Sequence, residues 1–184
     1  MSLSIAFVFA GVALYIGSAA AFVMGILKQP VTAFAWLFVP MIGGMVLGSA
    51  VAGRLGAKLK PGRLIGAGFA LMLLGVAASV AYTSLWVARV PYAVLPIAVY
   101  TFGLALAMPG MSVRTLNLFP TMSGLAASMQ GFIQMFLFAL VSGLIAPLLF
   151  DSAFKLAAGH AIGVLIGVAL WWSATRGRAG SAQP

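Results

Sequence analysis

The sequence predicts an all-α integral membrane protein of six transmembrane helices, and three observations carry that prediction. Hydrophobic types make up 64% of the 184 residues and charged types only 6%, where a soluble domain carries about 25% charged residues. Ten Lys and Arg stand against a single acid, Asp151, and they punctuate apolar runs rather than decorating a solvated face. Six such runs are present, each near the length of roughly 20 residues that a helix needs to cross a hydrocarbon core about 30 Å thick. No room is left for a separate soluble domain.

Taken in order, the first run covers residues 3–27 and stops at Lys28-Gln29-Pro30, where a charge and a proline end the helix together. It has no basic segment before it and exceeds the apolar core of a signal peptide, so a retained first span is expected. The second run, 34–53, is followed by the basic loop Arg54, Lys58, Lys60 and Arg63, with Pro61-Gly62 as turn residues. The third covers 64–82. Thr83 to Pro91 then returns the chain with Trp86 and Arg89 at the expected interface, a depth that Trp favours. The fourth covers 92–109 and leads into a loop, 110–123, that carries Arg114, Asn117 and Pro120. The fifth covers 124–150 and the sixth 156–173, the latter closed by Trp171 and Trp172. Residues 1–173 are therefore expected to form the bundle, and 174–184 a disordered cytoplasmic tail.

Charge sets the orientation. On the side of the two termini lie Arg54, Lys58, Lys60, Arg63, Arg114, Arg176 and Arg178; on the other lie Lys28, Arg89 and Lys155. The positive-inside rule puts the richer side, with both termini, in the cytoplasm, so a multi-pass protein of the cell's inner (cytoplasmic) membrane is expected. The same placement of charge argues against nucleic acid as a partner, despite the net charge of +9.

Catalytic and metal chemistry have little to work with. Cysteine is absent, which removes disulfides, thiolate metal sites and thiol nucleophiles. His160, the only histidine, is expected in an outer loop as an interfacial residue, so none of the spans holds an ionisable group well inside its ends. The chain is not expected to be an enzyme or to need a cofactor or metal. Ser123-Gly124 follows Thr121-Met122, which fails the nucleophile motif of a six-span serine protease, and a single Asn, Asn117, excludes the paired Asn-Pro-Ala boxes of an aquaporin.

Polar residues at mid-span depth fall on three helices: Tyr15 and Ser18 in the first, Tyr100 and Thr101 in the fourth, and Ser128, Gln130, Gln134 and Ser142 in the fifth. Each can bond a neighbouring helix or face a cavity, and for the two Gln both readings stand. Small residues recur at four-residue spacing, at Gly17, Ala21 and Gly25, at Gly44, Gly48 and Ala52, and at Gly159, Gly163 and Gly167; these stripes predict close helix packing.

The stretch Leu118 to Gln134 resembles the P-x-x-x-G-x-A-A/S-S/A-x-x-G-x-x-Q signature at the start of helix eleven in major facilitator drug-efflux transporters of the bicyclomycin/chloramphenicol-resistance type. Pro120, Gly124, Ala126, Ala127, Ser128, Gly131 and Gln134 match it. The basic loop is similar to the family's G-x-x-x-D-R-x-G-R-K motif at Arg54, Gly56 and Lys58, but Gly53 replaces the acid and Ser49 the first glycine. The resemblance implies the second, six-helix half of a major facilitator fold, a 3+3 inverted repeat with substrate bound near the midplane between halves. It implies a half-size secondary transporter that exports small amphipathic substrates by alternating access once paired with a second six-helix half, either a separate chain or another copy. Helices one, four and five would line the cavity, with Tyr15, Ser18, Phe22, Tyr100, Gln130, Gln134 and Phe138 as its residues. Two other readings remain: a non-transporting remnant or regulatory membrane subunit, and a homodimeric uncoupled uniporter.

Overall fold

Proline and glycine punctuation between apolar runs sets out the helices. In the computed structural model, which describes residues 1–86, 92–149 and 151–180, α1 spans Ser2–Gly17, α2 Ala35–Gly56, α3 Pro61–Leu85, α4 Leu95–Leu116, α5 Ser123–Leu140, α6 Ala146–Leu148 and α7 Ala153–Gly180. Turns of 3-10 helix at Val31–Phe34 and Pro120–Met122 lead into α2 and α5, and π-helical turns at Ala21–Ile26 and Val141–Ile145 extend α1 and α5. No strand occurs among the described residues. Five stretches are long and apolar enough to cross a membrane: Thr32–Gly56, Pro61–Leu85, Leu95–Leu116, Pro120–Leu148 and Ala153–Arg176. An all-helical, multi-pass membrane architecture is what such lengths and compositions suit.

The first apolar run is not one straight helix. α1 closes at Gly17, where the Ser18 hydroxyl donates to Leu14 O at 2.6 Å, the back-bonding that bends helices. The chain then widens into the π turn, and the end is sealed by Lys28 in the left-handed region, φ 51°, with Gln29 N–H donating to Val23 O at 3.0 Å.

Two expected loops are helical. α4 runs on through Pro109 to Leu116, so Arg114 sits in its last turn. One proline costs a single backbone bond, and the Thr115 hydroxyl supports that turn by donating to Met111 O at 2.9 Å. α7 begins at Ala153, where Ser152 caps it: Phe154 N–H donates to Ser152 Oγ at 3.2 Å and Leu156 N–H to Ser152 O at 3.1 Å. The Lys155–Asp151 ion pair, 2.9 Å, spans the same turn. At its far end α7 continues past Ser173 to Gly180, with the Arg176 guanidinium 4.3 Å from the Trp172 ring centroid. Arg89 and Phe150 lie outside the described residues.

Packing links the first three long helices to the last three. α4 lies against both α2 and α3, α1 lies against both α5 and α7, α3 touches α7, and α1 meets α4 at the centre. Exchanging α1 with α4, α2 with α5 and α3 with α7 carries this list onto itself. Contacts inside either set of three are sparse.

Glycine makes the closest crossings possible. A Cβ on Gly68 of α3 would lie 2.6 Å from Gly103 O of α4, and one on Gly103 would lie 2.7 Å from Gly68 O. Gly44 and Gly48 of α2 rest on the carbonyls of Ala98 and Phe102 in α4. Gly167 of α7 meets Val8 of α1, where the Ser4 hydroxyl donates to Gly167 O at 2.6 Å. The stripes predicted on α2 and α7 thus carry helix contacts. Gly25 and Gly163 meet nothing within 4 Å, and the pair Gly68 and Gly75, which seats α3 on α4, was not among the expected stripes.

Candidate functional site

Three rings meet where α1, α4 and α7 cross. Tyr15 and Tyr100 come from the polar positions of the first and fourth runs, and both are almost fully enclosed. Between them lies His160, only 2% exposed. Its imidazole stands edge-on to Tyr100, with centroids 4.2 Å apart and planes at 81°, and to Tyr15 at 5.3 Å and 83°. This corrects the expectation of an interfacial His160 in an outer loop. Because Ser152 starts α7 early, the residue lies two turns inside the helix, and the bundle interior holds an ionisable group after all. The signal was the Asp151-Ser152 pair, a helix start that carries the span back from 156 to 153 and sets His160 two turns inside it.

The polar atoms around these rings are unequally satisfied. Tyr100 Oη donates to Val8 O, a bond across to α1. Tyr15 Oη lies 3.4 Å from Ser79 Oγ of α3, and Phe22 stands edge-on to the Tyr15 ring at 5.7 Å. Neither Nδ1 nor Nε2 of His160 has a hydrogen-bond partner. A neutral imidazole offers one donor and one acceptor, and leaving a buried polar group unpaired costs about 1–3 kcal/mol. Gly11 makes the arrangement possible: a Cβ there would lie 2.6 Å from His160 Cδ2 and Nε2 and 2.7 Å from Tyr100 Oη.

A cavity of about 290 Å³ adjoins this cluster. Gly11 and His160 form part of its wall, with Leu14 of α1, Val141 and Ile145 of the second π turn, and Gly163 of α7. Its lining is apolar apart from the imidazole. A π turn displaces backbone and side chains from helical register, and Val141 and Ile145 of this one border the space together with Gly163.

The remaining expected cavity residues do not converge on one chamber. Ser18 is buried and bonded to its own helix, and Phe22 packs beside Tyr15. Gln130 reaches toward α4, with Nε2 donating to Ser112 Oγ at 3.0 Å and Oε1 buried without a partner. Gln134 is half-buried, and Phe138 tilts against Phe9 of α1 at 5.9 Å. Thr101, expected only as a mid-span polar residue, ties α4 to α2 by donating to Met41 O at 2.8 Å.

The positions that match the family signature lie on the outside of α5. Pro120, Gly124, Ala127, Ser128 and Gly131 are exposed and Ala126 is half-buried; Ser128 Oγ donates to Gly124 O at 3.1 Å. A Cβ on Gly124 or Gly131 would meet nothing within 4 Å, so this smooth face has no neighbour in the single chain. Met129, Phe132, Met135 and Phe136 are exposed beside it. On α2, the counterpart of α5 in the exchange of helices, Val39, Ile42, Val46 and Leu47 are likewise exposed. Arg54, Lys58, Lys60 and Arg63 all project from the α2–α3 connection. Among the described residues no three His, Asp or Glu side chains gather as metal ligands would.

Compared with known proteins, the chain matches no protein-family model, no curated protein sequence and no solved structure.

Proposed function

We propose that this chain is a half-size secondary transporter of the major facilitator type, which exports small amphipathic compounds by alternating access after pairing with a second six-helix half. The observation that carries the reading is the exchange relation among the helices. A set of three crossings ends on the side opposite to its start, so a second set of three built the same way has the inverted orientation, the plan from which such transporters are made. Counting α1 with its π extension as a crossing gives the six spans this plan needs.

The apolar outer faces of α2 and α5 support pairing. They are equivalent under the exchange, and α5 holds both the signature positions and the least covered surface of any long helix. The charge asymmetry supports an inner-membrane orientation with both termini in the cytoplasm.

The test is export by the pair. An efflux-deficient cell expressing this chain with a six-helix partner that carries the acidic loop motif should hold less of a fluorescent cationic dye than an empty-vector control. If no partner, a second copy included, lowers accumulation, the export reading fails. Because the sequence lacks cysteine, single cysteines at Phe132 and Val46 report the pairing separately. Cross-links from both positions without any export would favour a regulatory subunit that docks through α2 and α5.

A further inference from the structure

We infer that the groove between α3 and α7 is a binding site for an anionic phospholipid, with one acyl chain laid between the two helices and the headgroup phosphate held by Arg114. The site is independent of export, since its walls belong to this one chain.

The groove has the chemistry of an amphiphile, apolar along its length and cationic at one end. It encloses about 560 Å³, walled by Ile65, Phe69 and Leu73 of α3 and by Val168 and Trp171 of α7. Arg114, from the last turn of α4, closes one end beside Gly62 and Thr175. From Gly62 to Leu73 the groove follows α3 for about 16 Å, roughly half of a hydrocarbon core about 30 Å thick. That is the reach of a chain from one leaflet. Beyond Leu73 the next space along the same two helices, about 400 Å³, is lined by apolar side chains alone, so the charge lies at the Arg114 end only. Trp172, a residue type that favours the membrane interface, borders that end as well.

Charge complementarity selects the headgroup. Arg114 is exposed, and among the described residues it has no hydrogen-bond or ion-pair partner. Its Nη2 lies 3.7 Å from the Cβ position of Gly62, which places the guanidinium over the first turn of α3, at the mouth of the groove. The Arg176 guanidinium stands 4.3 Å from the Trp172 ring centroid at the same end. The chain's one acidic side chain, Asp151, precedes the opposite end of α7, about 33 Å away along that helix, and pairs with Lys155. No carboxylate side chain of the protein can therefore neutralise these arginines. A phosphate can, through the planar guanidinium fork that suits its oxygens. A zwitterionic headgroup brings a cation of its own to the same place, so a phosphatidylglycerol fits better than a phosphatidylcholine.

The test uses the full chain in phosphatidylcholine nanodiscs that hold a small fraction of phosphatidylglycerol with a diazirine on one acyl chain. Saturable labelling is expected at Ile65, Phe69, Leu73 or Val168, and unlabelled phosphatidylglycerol should compete about fivefold better than phosphatidylcholine. Arg114→Gln should remove most of that preference. Arg54→Gln, which deletes the same charge outside the groove, should leave it intact. Gly66→Leu should reduce labelling with Arg114 in place, because Gly66 borders the groove with nothing within 4 Å of its Cβ position. Equal competition by the two lipids would overturn the proposal, as would equal losses in Arg54→Gln and Arg114→Gln, which mean diffuse attraction to the basic surface. Displacement of the label by glycerol 1-phosphate at matched ionic strength would also overturn it, by showing a site for a soluble anion. Labelling that vanishes when each disc holds two chains would do the same, because a second copy would then cover the groove. Should a variant fail to fold, the comparison of the two lipids and the glycerol 1-phosphate arm on the unaltered chain still decide.

Discussion

At position 28 a lysine occupies a conformation that glycine adopts at no steric cost. Lys28 is the sole non-glycine residue with positive φ among those described, and the turn it makes lets Gln29 N–H close the first helical segment. The left-handed region costs an L-residue with a Cβ roughly 1–2 kcal/mol, part of which a glycine returns through its greater freedom in the unfolded chain. Lys28→Gly is therefore expected to stabilise the protein by about 0.5–1 kcal/mol, seen as a higher melting temperature in detergent; a lower one would mean that the lysine side chain itself anchors the turn. The opposite sign is expected at Gly11. There a methyl group must displace both the imidazole of His160 and the Tyr100 hydroxyl that donates to Val8 O. Gly11→Ala should destabilise by about 1–3 kcal/mol, and a second change, Tyr100→Phe, should recover part of that loss by removing one of the two obstructing groups. Equal stability of Gly11→Ala and the unaltered chain would show that the cluster has slack that its geometry denies.

Among the helices, closeness of approach separates glycines that look alike in the sequence. Gly66 and Gly68 both lie in α3, two residues apart, yet a Cβ on Gly66 meets nothing within 4 Å while one on Gly68 lies 2.6 Å from the Gly103 carbonyl oxygen and the Ala107 Cβ of α4. Gly66→Ala should leave stability unchanged or raise it by up to about 1 kcal/mol, the helix preference of Ala over Gly. Gly68→Ala should push α3 off α4 at a cost of about 1–3 kcal/mol. Urea unfolding of the two variants in the same micelle gives the comparison directly, and a shift of the same sign for both would refute the account of the crossing. The helices themselves were largely legible, because apolar runs and the Pro61-Gly62 turn mark where the chain must leave the membrane. Their ends were less so. Pro109 read as a stop, but a lone proline late in a helix removes one bond and leaves the next turn intact. Ser152 decided where α7 starts, three residues ahead of the expected 156, and the packing of Tyr15 and Tyr100 made His160 a core residue. Tyr15 and Tyr100 could be picked out as polar groups at depth. Their company could not, since which carbonyl or ring they face depends on helix neighbours that no local pattern records.

The two sets of three helices are interlocked, and that has a consequence for how the whole chain assembles. Nearly all the close helix contacts run between the sets: α3 on α4, α2 on α4, α1 on α7, α1 on α5 and α3 on α7. Inside each set there is little packing, so a fragment ending at Trp86 would carry the α3 face with Gly68 and Gly75 uncovered, and a fragment starting at Tyr92 would carry Gly103 and the buried His160 without α1. Helix association in lipid rests on such close packing and on interhelical hydrogen bonds, because no hydrophobic force drives helices together there. Bonds that cross the cut include Thr101 to Met41 O, Tyr100 to Val8 O and Ser4 to Gly167 O. Expressed separately, residues 1–86 and 92–184 should each insert but stay unpaired and be degraded. Expressed together, they should protect one another and co-purify through a tag on either piece, and Gly68→Ala in the first piece should weaken that recovery several-fold. If either fragment alone is as stable and as monodisperse as the intact chain, each set of three is an independent folding unit, and the interlocked arrangement of helices described above is wrong.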